Sequence, residues 1–203
     1  MNMIKKILLL VIVASSFVFQ SCTSQDFKNG DIIFHTSKSS QSKMIQLITE
    51  SKLTHCGIIF YRNGKPYVFE AVQPVKKTPL EEWINRGVDK KYIVSRVKDP
   101  LTKSELNTMF NYAVSLLGKD YDSQFQWSDE KMYCSELVYK VMVAGDRFVG
   151  YGKKISDYNL NNDIVKKAIK NRYKGNSINL NEMVITPVDI YKNPNVKTIY
   201  NNY

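Results

Sequence analysis

The feature that most constrains the fold is a pair of β-rich segments, residues 55–62 and 66–72, joined across Asn63-Gly64. Asn-Gly favours a two-residue hairpin turn, because both residues adopt positive φ more readily than most others. If Arg62 and Lys65 flank such a turn, the register of the two strands follows from the turn alone. The sequence therefore predicts an antiparallel hairpin with one defined pairing.

This pairing places a histidine beside a glutamate. His55 faces Val72 and Gly57 faces Glu70, so all four positions lie on one side of the sheet and His55 is a diagonal neighbour of Glu70. A carboxylate between apolar neighbours is costly unless it is paired, and an imidazole is the nearest partner. We therefore expect His55 and Glu70 to interact, whereas a one-residue slip would put them on opposite faces.

The rest of the chain combines strand and helix patterns and predicts a single α+β domain. The clearest helix starts with a capping box formed by Thr102 and Glu105, and it ends near Gly118. The other predicted elements are a strand at 30–34, a helix around 44–48, a strand at 91–97, a helix that begins near Cys134, a helix at 164–173 and a final apolar segment at 183–191. Together these elements predict a small antiparallel sheet packed against helices.

The N-terminus has the composition of a secretory signal. Lys5 and Lys6 precede an apolar stretch, residues 7–19, which is short for a membrane span. The stretch ends at Phe19-Gln20-Ser21-Cys22, which resembles the lipobox of bacterial lipoproteins. The resemblance implies cleavage before Cys22 and lipidation of that cysteine.

Cleavage would divide the chain into a signal peptide at 1–21, a short tether at 22–28 and a single domain at 29–203. Removing 21 residues from 203 leaves 182, which suits one domain with a substantial core. An uncleaved membrane anchor is the alternative. Both interpretations place the domain in the cell envelope, outside the cytoplasm, and lipidated Cys22 would attach it to a bacterial membrane.

The chain is basic, with 29 lysines and arginines against 19 acidic residues and a formal charge of +10. The predicted signal carries two lysines and no acids, so its removal would leave a charge of +8. This charge suits an anionic envelope, either lipid headgroups or wall polymer. The lysines form no dense block and no interleaved aromatic platform, so nucleic acid is not an expected partner.

Cys134 is the leading candidate for chemistry. It lies in Tyr133-Cys134-Ser135-Glu136-Leu137-Val138, which predicts the first turn of a helix, and Ser128-Asp129 is a candidate cap for that helix. Free backbone N–H groups and the helix dipole favour a thiolate at this position. The alternative is a small apolar core residue, because the positions that follow it on the same helical face are apolar.

The chain has two histidines, His35 and His55. His35 follows a predicted strand among serine and threonine residues, which predicts a solvent-exposed loop. His55 is therefore the candidate base, and Glu70 would fix the imidazole tautomer and stabilise its charged form. With Cys134 these side chains supply a nucleophile, a base and an orienting group. The alternatives are a structural histidine and a solvent-facing glutamate on a slipped hairpin.

Cys56 adds a competing interpretation. With Cys22 lipidated, Cys56 and Cys134 are the cysteines left in an oxidising compartment, and a disulfide between them would remove the nucleophile. Strand alternation instead points Cys56 away from His55, which favours a buried apolar role and places the two sulfurs badly for a disulfide. The histidines and cysteines lack zinc-ligand spacing, so neither a metal nor another cofactor is expected.

Four motifs carry a family resemblance. They are Gly30-Asp31-Ile32-Ile33, Thr54-His55-Cys56-Gly57-Ile58, Phe69-Glu70-Ala71 and Tyr133-Cys134-Ser135-Glu136-Leu137-Val138. In this order they resemble the circularly permuted papain-like cysteine hydrolases of the NlpC superfamily, and most of all the YiiX-like amidase branch. In that branch the histidine strand precedes the nucleophile helix. The resemblance covers roughly residues 29–143.

The resemblance implies a papain-like α+β core with Cys134 as nucleophile, His55 as base and Glu70 as the third polar residue. It also implies that the backbone N–H of Cys134, assisted by Tyr133, stabilises the oxyanion. Acyl transfer to Cys134 and hydrolysis of the resulting thioester by water would follow.

Three classes of function stay open. The first is an amidase or peptidase that cleaves an amide, with cell-wall peptide as a candidate substrate. The second is a lipid acyltransferase or thioesterase, because permuted relatives include enzymes that move acyl chains through the same thiol. The third is a binding lipoprotein without catalysis. The expected partners are therefore a peptide, amide or lipid of the envelope, together with the membrane that holds lipidated Cys22.

Overall fold

The structure is a computed structural model that describes residues 26–174 and 177–203. The predicted signal peptide and Cys22 lie outside these ranges. Within them, no helix has both the length and the hydropathy that crossing a membrane requires.

The secondary structure combines short strands with helices. The strands are β1 (Ile32–Ser37), β2 (His55–Arg62), β3 (Lys65–Glu70), β4 (Lys76–Pro79), β5 (Gly87–Val97), β6 (Asp120–Tyr121), β7 (Lys131–Met132), β8 (Lys153–Lys154), β9 (Met183–Val184) and β10 (Val196–Asn201). The α-helices are α1 (Ser42–Thr49), α2 (Leu80–Asn85), α3 (Lys103–Ser115), α4 (Cys134–Ala144), α5 (Asp163–Arg172) and α6 (Pro187–Tyr191). This mixture is the α+β class that the sequence predicts.

Six strands form one antiparallel sheet in the order β10-β5-β1-β2-β3-β4. The β2–β3 hairpin has the predicted register, since Arg62 pairs with Lys65 and Ile58 pairs with Phe69. Both residues of the Asn63-Gly64 turn have positive φ, as a two-residue hairpin turn requires. The prediction of this hairpin is therefore confirmed.

Side chains alternate between the two faces of this sheet, and each face has its own apolar core. One face packs against α3 and α4, where Ile58 and Val138 belong to the same buried cluster. The other face packs against α2, where buried Trp83 lies in a cluster with Ile59. The candidate site lies at the end of β2, between the two cores.

The helix that carries Cys134 begins as predicted, but it is capped differently. Tyr133 is the N-cap residue, and the carboxylate of Glu136 accepts hydrogen bonds from the backbone N–H groups of Tyr133 and Ser128, both at 3.3 Å. The prediction that Ser128-Asp129 caps the helix is wrong, because an acid within the first turn takes that role. The capping box predicted for α3 is confirmed.

Residues of the predicted tether pack on the domain. The ring of Phe27 is buried and makes edge-to-face contacts with Tyr92 and Tyr200. Arg96 of β5 donates a hydrogen bond of 2.8 Å to the backbone carbonyl of Asp26. These contacts tie the beginning of the described chain to β5 and β10.

Candidate active site

Cys134 is the first residue of α4 and is only 4% exposed. The first hydrogen bond within α4 runs from the N–H of Leu137 to the carbonyl of Tyr133, so the helix does not use the N–H of Cys134. This N–H and the positive end of the helix dipole favour negative charge nearby. Cys134 therefore occupies a position that stabilises a thiolate, as the sequence predicts.

His55 and Glu70 are in contact. His55 is the first residue of β2 and Glu70 the last of β3, and His55 Nε2 lies 2.7 Å from Glu70 Oε2. Gly57 makes this approach possible, because a Cβ at that position would lie 2.4 Å from a methyl group of Val68. The ring of His55 also lies close enough to Cys134 for the two groups to shift each other's pKa. The hairpin register thus brings all three predicted site residues together.

Glu70 is fully buried and has four side-chain partners. Its Oε2 atom binds His55 and accepts a hydrogen bond of 2.9 Å from Trp83 Nε1. Its Oε1 atom accepts hydrogen bonds from Thr78 Oγ1, at 2.6 Å, and from Arg86 Nη2. Thr78 lies in β4, Trp83 lies in α2 and Arg86 follows α2, so one segment surrounds the carboxylate. No local pattern in the sequence points to these partners, so they were not predicted.

The charges of the site support one another. Burial alone would lower the pKa of His55, but hydrogen bonds and negative charge from Cys134 and Glu70 outweigh it and raise the pKa to about 9. Burial alone would raise the pKa of Glu70, but His55 and its other partners outweigh it and lower the pKa to about 2. The pKa of Cys134 lies well below its ordinary value, because hydrogen bonds from Cys56 and His55 outweigh burial. These shifts favour a thiolate, an imidazolium and a carboxylate at neutral pH.

Cys56 lies closer to the nucleophile than expected. It is fully buried, belongs to the same core cluster as Cys134, and both thiols are free. The side chain and the backbone of Cys56 both help to lower the pKa of the Cys134 thiol. The two cysteines form no disulfide, as expected, and Cys56 packs in the same core as Cys134 because the sheet face away from Glu70 is the face that packs against α4.

A family model of the permuted papain-like amidases of the YaeF/YiiX type, the C92 family, matches residues 26–200. The chain belongs to the C92 family. It is 43% identical over 195 residues to the uncharacterized protein YiiX of Escherichia coli K12, with 95% of this chain and 93% of that protein covered. It is also similar to the crystal structure of a protein described as metalloprotein YiiX from Escherichia coli O157:H7. That match has 44% identity and a TM-score of 0.83, and it covers 87% of this chain and 98% of the other.

Membership of the C92 family makes the chain a cysteine hydrolase with a permuted papain-like fold. The predicted fold class and the predicted class of enzyme are confirmed. The permuted order is visible in the structure, since His55 lies in β2 and Cys134 follows much later in α4. Across residues 26–174 and 177–203, no group of three or more His, Cys, Asp or Glu side chains is arranged to hold a metal ion.

His35 contradicts the prediction of a solvent-exposed loop residue. It lies within β1, pairs with His55 across the sheet and is only 2% exposed. Its ring stacks on Trp83, with 3.8 Å between the ring centroids. Burial and the charge of His55 lower the pKa of His35 to about 2. His35 is therefore a neutral, buried residue that lines the site of this C92 amidase. Thr36 and Ser37, which follow it, extend β1.

Two tyrosines lie beside the nucleophile. Tyr133, which is predicted to assist the oxyanion, is buried, and its phenol oxygen accepts a hydrogen bond of 3.2 Å from the N–H of Ile185. Burial and the negative charge of Cys134 raise the pKa of Tyr121 well above its ordinary value. A phenol that stays protonated is a hydrogen-bond donor, and Tyr121 is thus a second candidate for contact with an oxyanion.

Two cavities reach the site from different sides. The first, which we call the apolar cavity, reaches Cys134 and has a volume of about 80 Å³. It lies between α1, α5 and the start of α4. Most of its wall is aliphatic or aromatic and includes Met44, Ile45, Phe125, Leu160, Val165 and Ile169.

The second cavity, which we call the basic cavity, reaches His55. Its polar lining residues include Ser37, Gln73 and Asn85, and its charged lining residues are Lys38 and Arg86. No aspartate or glutamate of the described chain lines it. The site therefore offers an apolar environment on the side of the nucleophile and a cationic one on the side of the base.

Proposed function

We propose that this C92 amidase hydrolyses an amide bond in the cell envelope, with Cys134 as nucleophile, His55 as base and acid, and Glu70 as the residue that orients His55. The observation that carries the proposal is the position of the His55 ring. It interacts with the Cys134 sulfur and with the Glu70 carboxylate. A nucleophile, a base and an orienting acid in contact are the groups that acyl transfer requires.

In the proposed reaction the Cys134 thiolate attacks the carbonyl carbon of the amide. The backbone N–H of Cys134 stabilises the oxyanion that forms, and Tyr121 or Tyr133 supplies a second donor. His55 then transfers its proton to the leaving nitrogen, the C–N bond breaks and the amine departs. Neutral His55 next takes a proton from a water molecule, which hydrolyses the thioester and restores the thiolate and the imidazolium.

Glu70 makes this cycle possible in a buried site. A buried imidazolium is costly unless an anion compensates it, and the Glu70 carboxylate is in direct contact with the ring. Arg86 in turn pairs with Glu70 and keeps that carboxylate charged. The proposed role of Glu70 is therefore to hold one ring orientation and to stabilise the protonated state of His55.

The apolar cavity favours a substrate whose acyl part is a hydrocarbon chain. The acyl part remains bonded to Cys134 in the thioester, and the cavity beside Cys134 has mainly aliphatic and aromatic walls. A cell-wall peptide would leave polar backbone groups without partners there, which is unfavourable. This observation also supports a second candidate, a lipid acyltransferase or thioesterase, which would use the same thiol with a different leaving group or acceptor.

We further propose that the domain lies outside the cytoplasm and is attached to a bacterial membrane through lipidated Cys22. The lipobox-like segment that ends at Cys22 and the positive charge of the chain support this location. Mass spectrometry of the N-terminal peptide tests it. A lipid-modified peptide that begins at Cys22 is expected, and an unmodified peptide that begins at Met1 would contradict the proposal.

Trapping of the acyl-enzyme tests the activity and identifies the substrate class. The protein is incubated with an envelope extract and digested under acidic conditions, and the mass of the peptide that carries Cys134 is measured. A fatty acyl adduct supports an amide with a lipid chain, whereas a peptidyl adduct supports cell-wall peptide. Cys134→Ser should abolish the thioester, and Cys56→Ala should retain it. An adduct on Cys56 instead of Cys134 would contradict the proposed nucleophile.

A further inference from the structure

The direction of proton transfer decides which cavity receives each half of the substrate. In the proposed reaction the acyl half is bonded to Cys134 after the first step, and the leaving nitrogen takes its proton from His55. The apolar cavity reaches Cys134, and the basic cavity reaches His55. The acyl group therefore belongs in the apolar cavity, and the leaving amine belongs in the basic cavity.

The basic cavity has charges of one sign. Lys38 and Arg86 are both cationic, and each has hydrogen-bond donors to spare. Lys38 Nζ has the backbone carbonyl of Asn85 as a partner at 3.5 Å, and no carboxylate of the described chain forms an ion pair with it. Arg86 binds Glu70 through Nη2, and its Nη1 forms no hydrogen bond to any described residue. An anion in this cavity could bind both Lys38 and Arg86, since the protein itself uses only some of their hydrogen-bond donors.

The position of Arg86 also limits how far the anion lies from the scissile bond. Arg86 Nη2 and His55 Nε2 bind the two oxygens of the same Glu70 carboxylate. The guanidinium and the imidazole are therefore separated by a single carboxylate group. A substrate anion that contacts Arg86 lies only a few atoms from the nitrogen that His55 protonates.

We propose that the basic cavity binds an anionic group on the leaving amine, and that the substrate is an N-acyl amine with a carboxylate or phosphate close to the amide nitrogen. The inference rests on the proposed hydrolysis at Cys134 and names its substrate class. Ammonium and guanidinium groups form charge-assisted hydrogen bonds with carboxylate and phosphate oxygens alike. Fatty acyl derivatives of amino acids and of 2-aminoethyl phosphate match both cavities.

Binding measured without turnover tests this proposal. Isothermal titration of Cys134→Ala compares N-dodecanoylglycine with N-dodecanoylglycinamide, which share chain and amide but differ by one negative charge. N-dodecanoyl-2-aminoethyl phosphate and N-dodecanoylethanolamine form a second pair. The anionic member of at least one pair should bind about tenfold more tightly than its neutral partner. The pair with the larger difference shows whether the site selects carboxylate or phosphate.

Lys38→Gln is the variant that isolates the anion site, because Arg86 also holds Glu70. In the Cys134→Ala background it should weaken binding of the anionic compounds about three- to tenfold and leave binding of the neutral ones unchanged. Lys197→Gln is the matched control, since Lys197 is an exposed residue of β10 that lines neither cavity. Higher ionic strength should reduce the preference for the anionic compounds.

The outcomes separate this inference from the proposed hydrolysis. Equal binding within both pairs, a preference for the neutral compounds or no binding at all overturns the anion site. An equal loss in Lys197→Gln also overturns it, since the effect would then reflect net charge. If the wild-type protein binds with the expected preference but cleaves none of the compounds, the anion site stands and the proposed hydrolysis fails.

Discussion

His35 and His55 lie side by side in one sheet, and their environments give them opposite charge states. They pair across β1 and β2, and both are buried. The pKa of His55 is raised to about 9, whereas the pKa of His35 is lowered to about 2. Burial lowers the pKa of both rings, so their partners must cause the difference.

The two rings meet different groups. His55 has an anion on each side, the thiolate of Cys134 and the carboxylate of Glu70. His35 stacks on Trp83, and its Nδ1 atom is buried without a partner in the described part of the chain. A position in the sheet therefore does not set the charge of a histidine, whereas the groups at the two ring nitrogens do. For this reason His55 can carry and release a proton while His35 remains neutral.

Removal of the His55 ring should have the largest effect. His55→Ala deletes the group that we propose accepts and returns the proton, so kcat should fall by about 10⁴-fold or more. His35→Ala should lower kcat by less than about tenfold after correction for the folded fraction, since neutral His35 has no proton to donate at the leaving nitrogen. Initial rates on the substrate identified by trapping provide the measurement. Similar losses in both variants would show that the two histidines share the proton transfer.

Removal of the Glu70 charge should have the next largest effect. Glu70→Gln keeps the size of the side chain but withdraws the anion that stabilises protonated His55, so kcat should fall by about 10²- to 10⁴-fold. The pKa of His55 should also move down toward its ordinary value, which NMR titration of the imidazole protons measures. Glu82→Gln, on the exposed side of α2, is the control and should change neither quantity. A His55 titration unchanged in Glu70→Gln would mean that Cys134 alone sets its charge.

Opposite pKa shifts should give the two histidines opposite effects on the free energy of unfolding. The pKa of folded His35 lies below its ordinary value, so the unfolded state binds an extra proton as pH falls below 6.5 and the protein loses stability. The pKa of folded His55 lies above its ordinary value, so its contribution is complete below pH 6.5 and is lost as pH rises through about 9.

Urea unfolding at a series of pH values measures this difference. As pH falls from about 6.5 to about 5, His35 should lower the free energy of unfolding of the wild-type protein by about 2 kcal/mol. His35→Leu should remove this part of the pH dependence. Between about pH 7 and pH 9, the wild-type protein should show little change from His55, because the lowered pKa of Cys134 makes its thiolate contribute more stability as pH rises and offsets the loss from His55. The same acid slope in His35→Leu and the wild type would mean that His35 is protonated in the folded state.

A smaller effect should follow from crowding His35. A Cβ at Gly87 would lie 2.8 Å from His35 Nδ1, so Gly87→Ala must displace the stacked ring and should lower the free energy of unfolding by about 1–2 kcal/mol. Gly152→Ala is the matched control, because its nearest neighbour would be 3.4 Å away. Thermal or urea unfolding of the two variants gives the comparison. Equal stability would show that the His35 ring has room to move.

Local rules were sufficient for the central part of the site. The Asn63-Gly64 turn fixes the hairpin register, and the register alone brings His55 to Glu70. The pattern around Cys134 places the thiol at a helix start. Such features are predictable because turn geometry and helix periodicity act over a few neighbouring residues.

The edges of the sheet were not predictable in the same way. The strands β4 and β10 were missed, and β4 has the sequence Lys-Lys-Thr-Pro. Lysine and proline protect an open sheet edge from further pairing, so an edge strand has the composition of a loop. This omission hid Thr78 and the segment that brings Trp83 and Arg86 to Glu70.

The sequence by itself determined the fold class, the contact of His55 with Glu70, the place of Cys134 at a helix start and, through its motif order, the family of the protein. Only the tertiary structure decided the partners of Glu70, the burial of His35 and the contact of Cys56 with Cys134. It also decided that an apolar and a basic cavity meet at the site. These features join side chains that are far apart in sequence, and their distances depend on how the whole sheet packs against its helices. A pattern of neighbouring residues in the sequence therefore does not predict these distances.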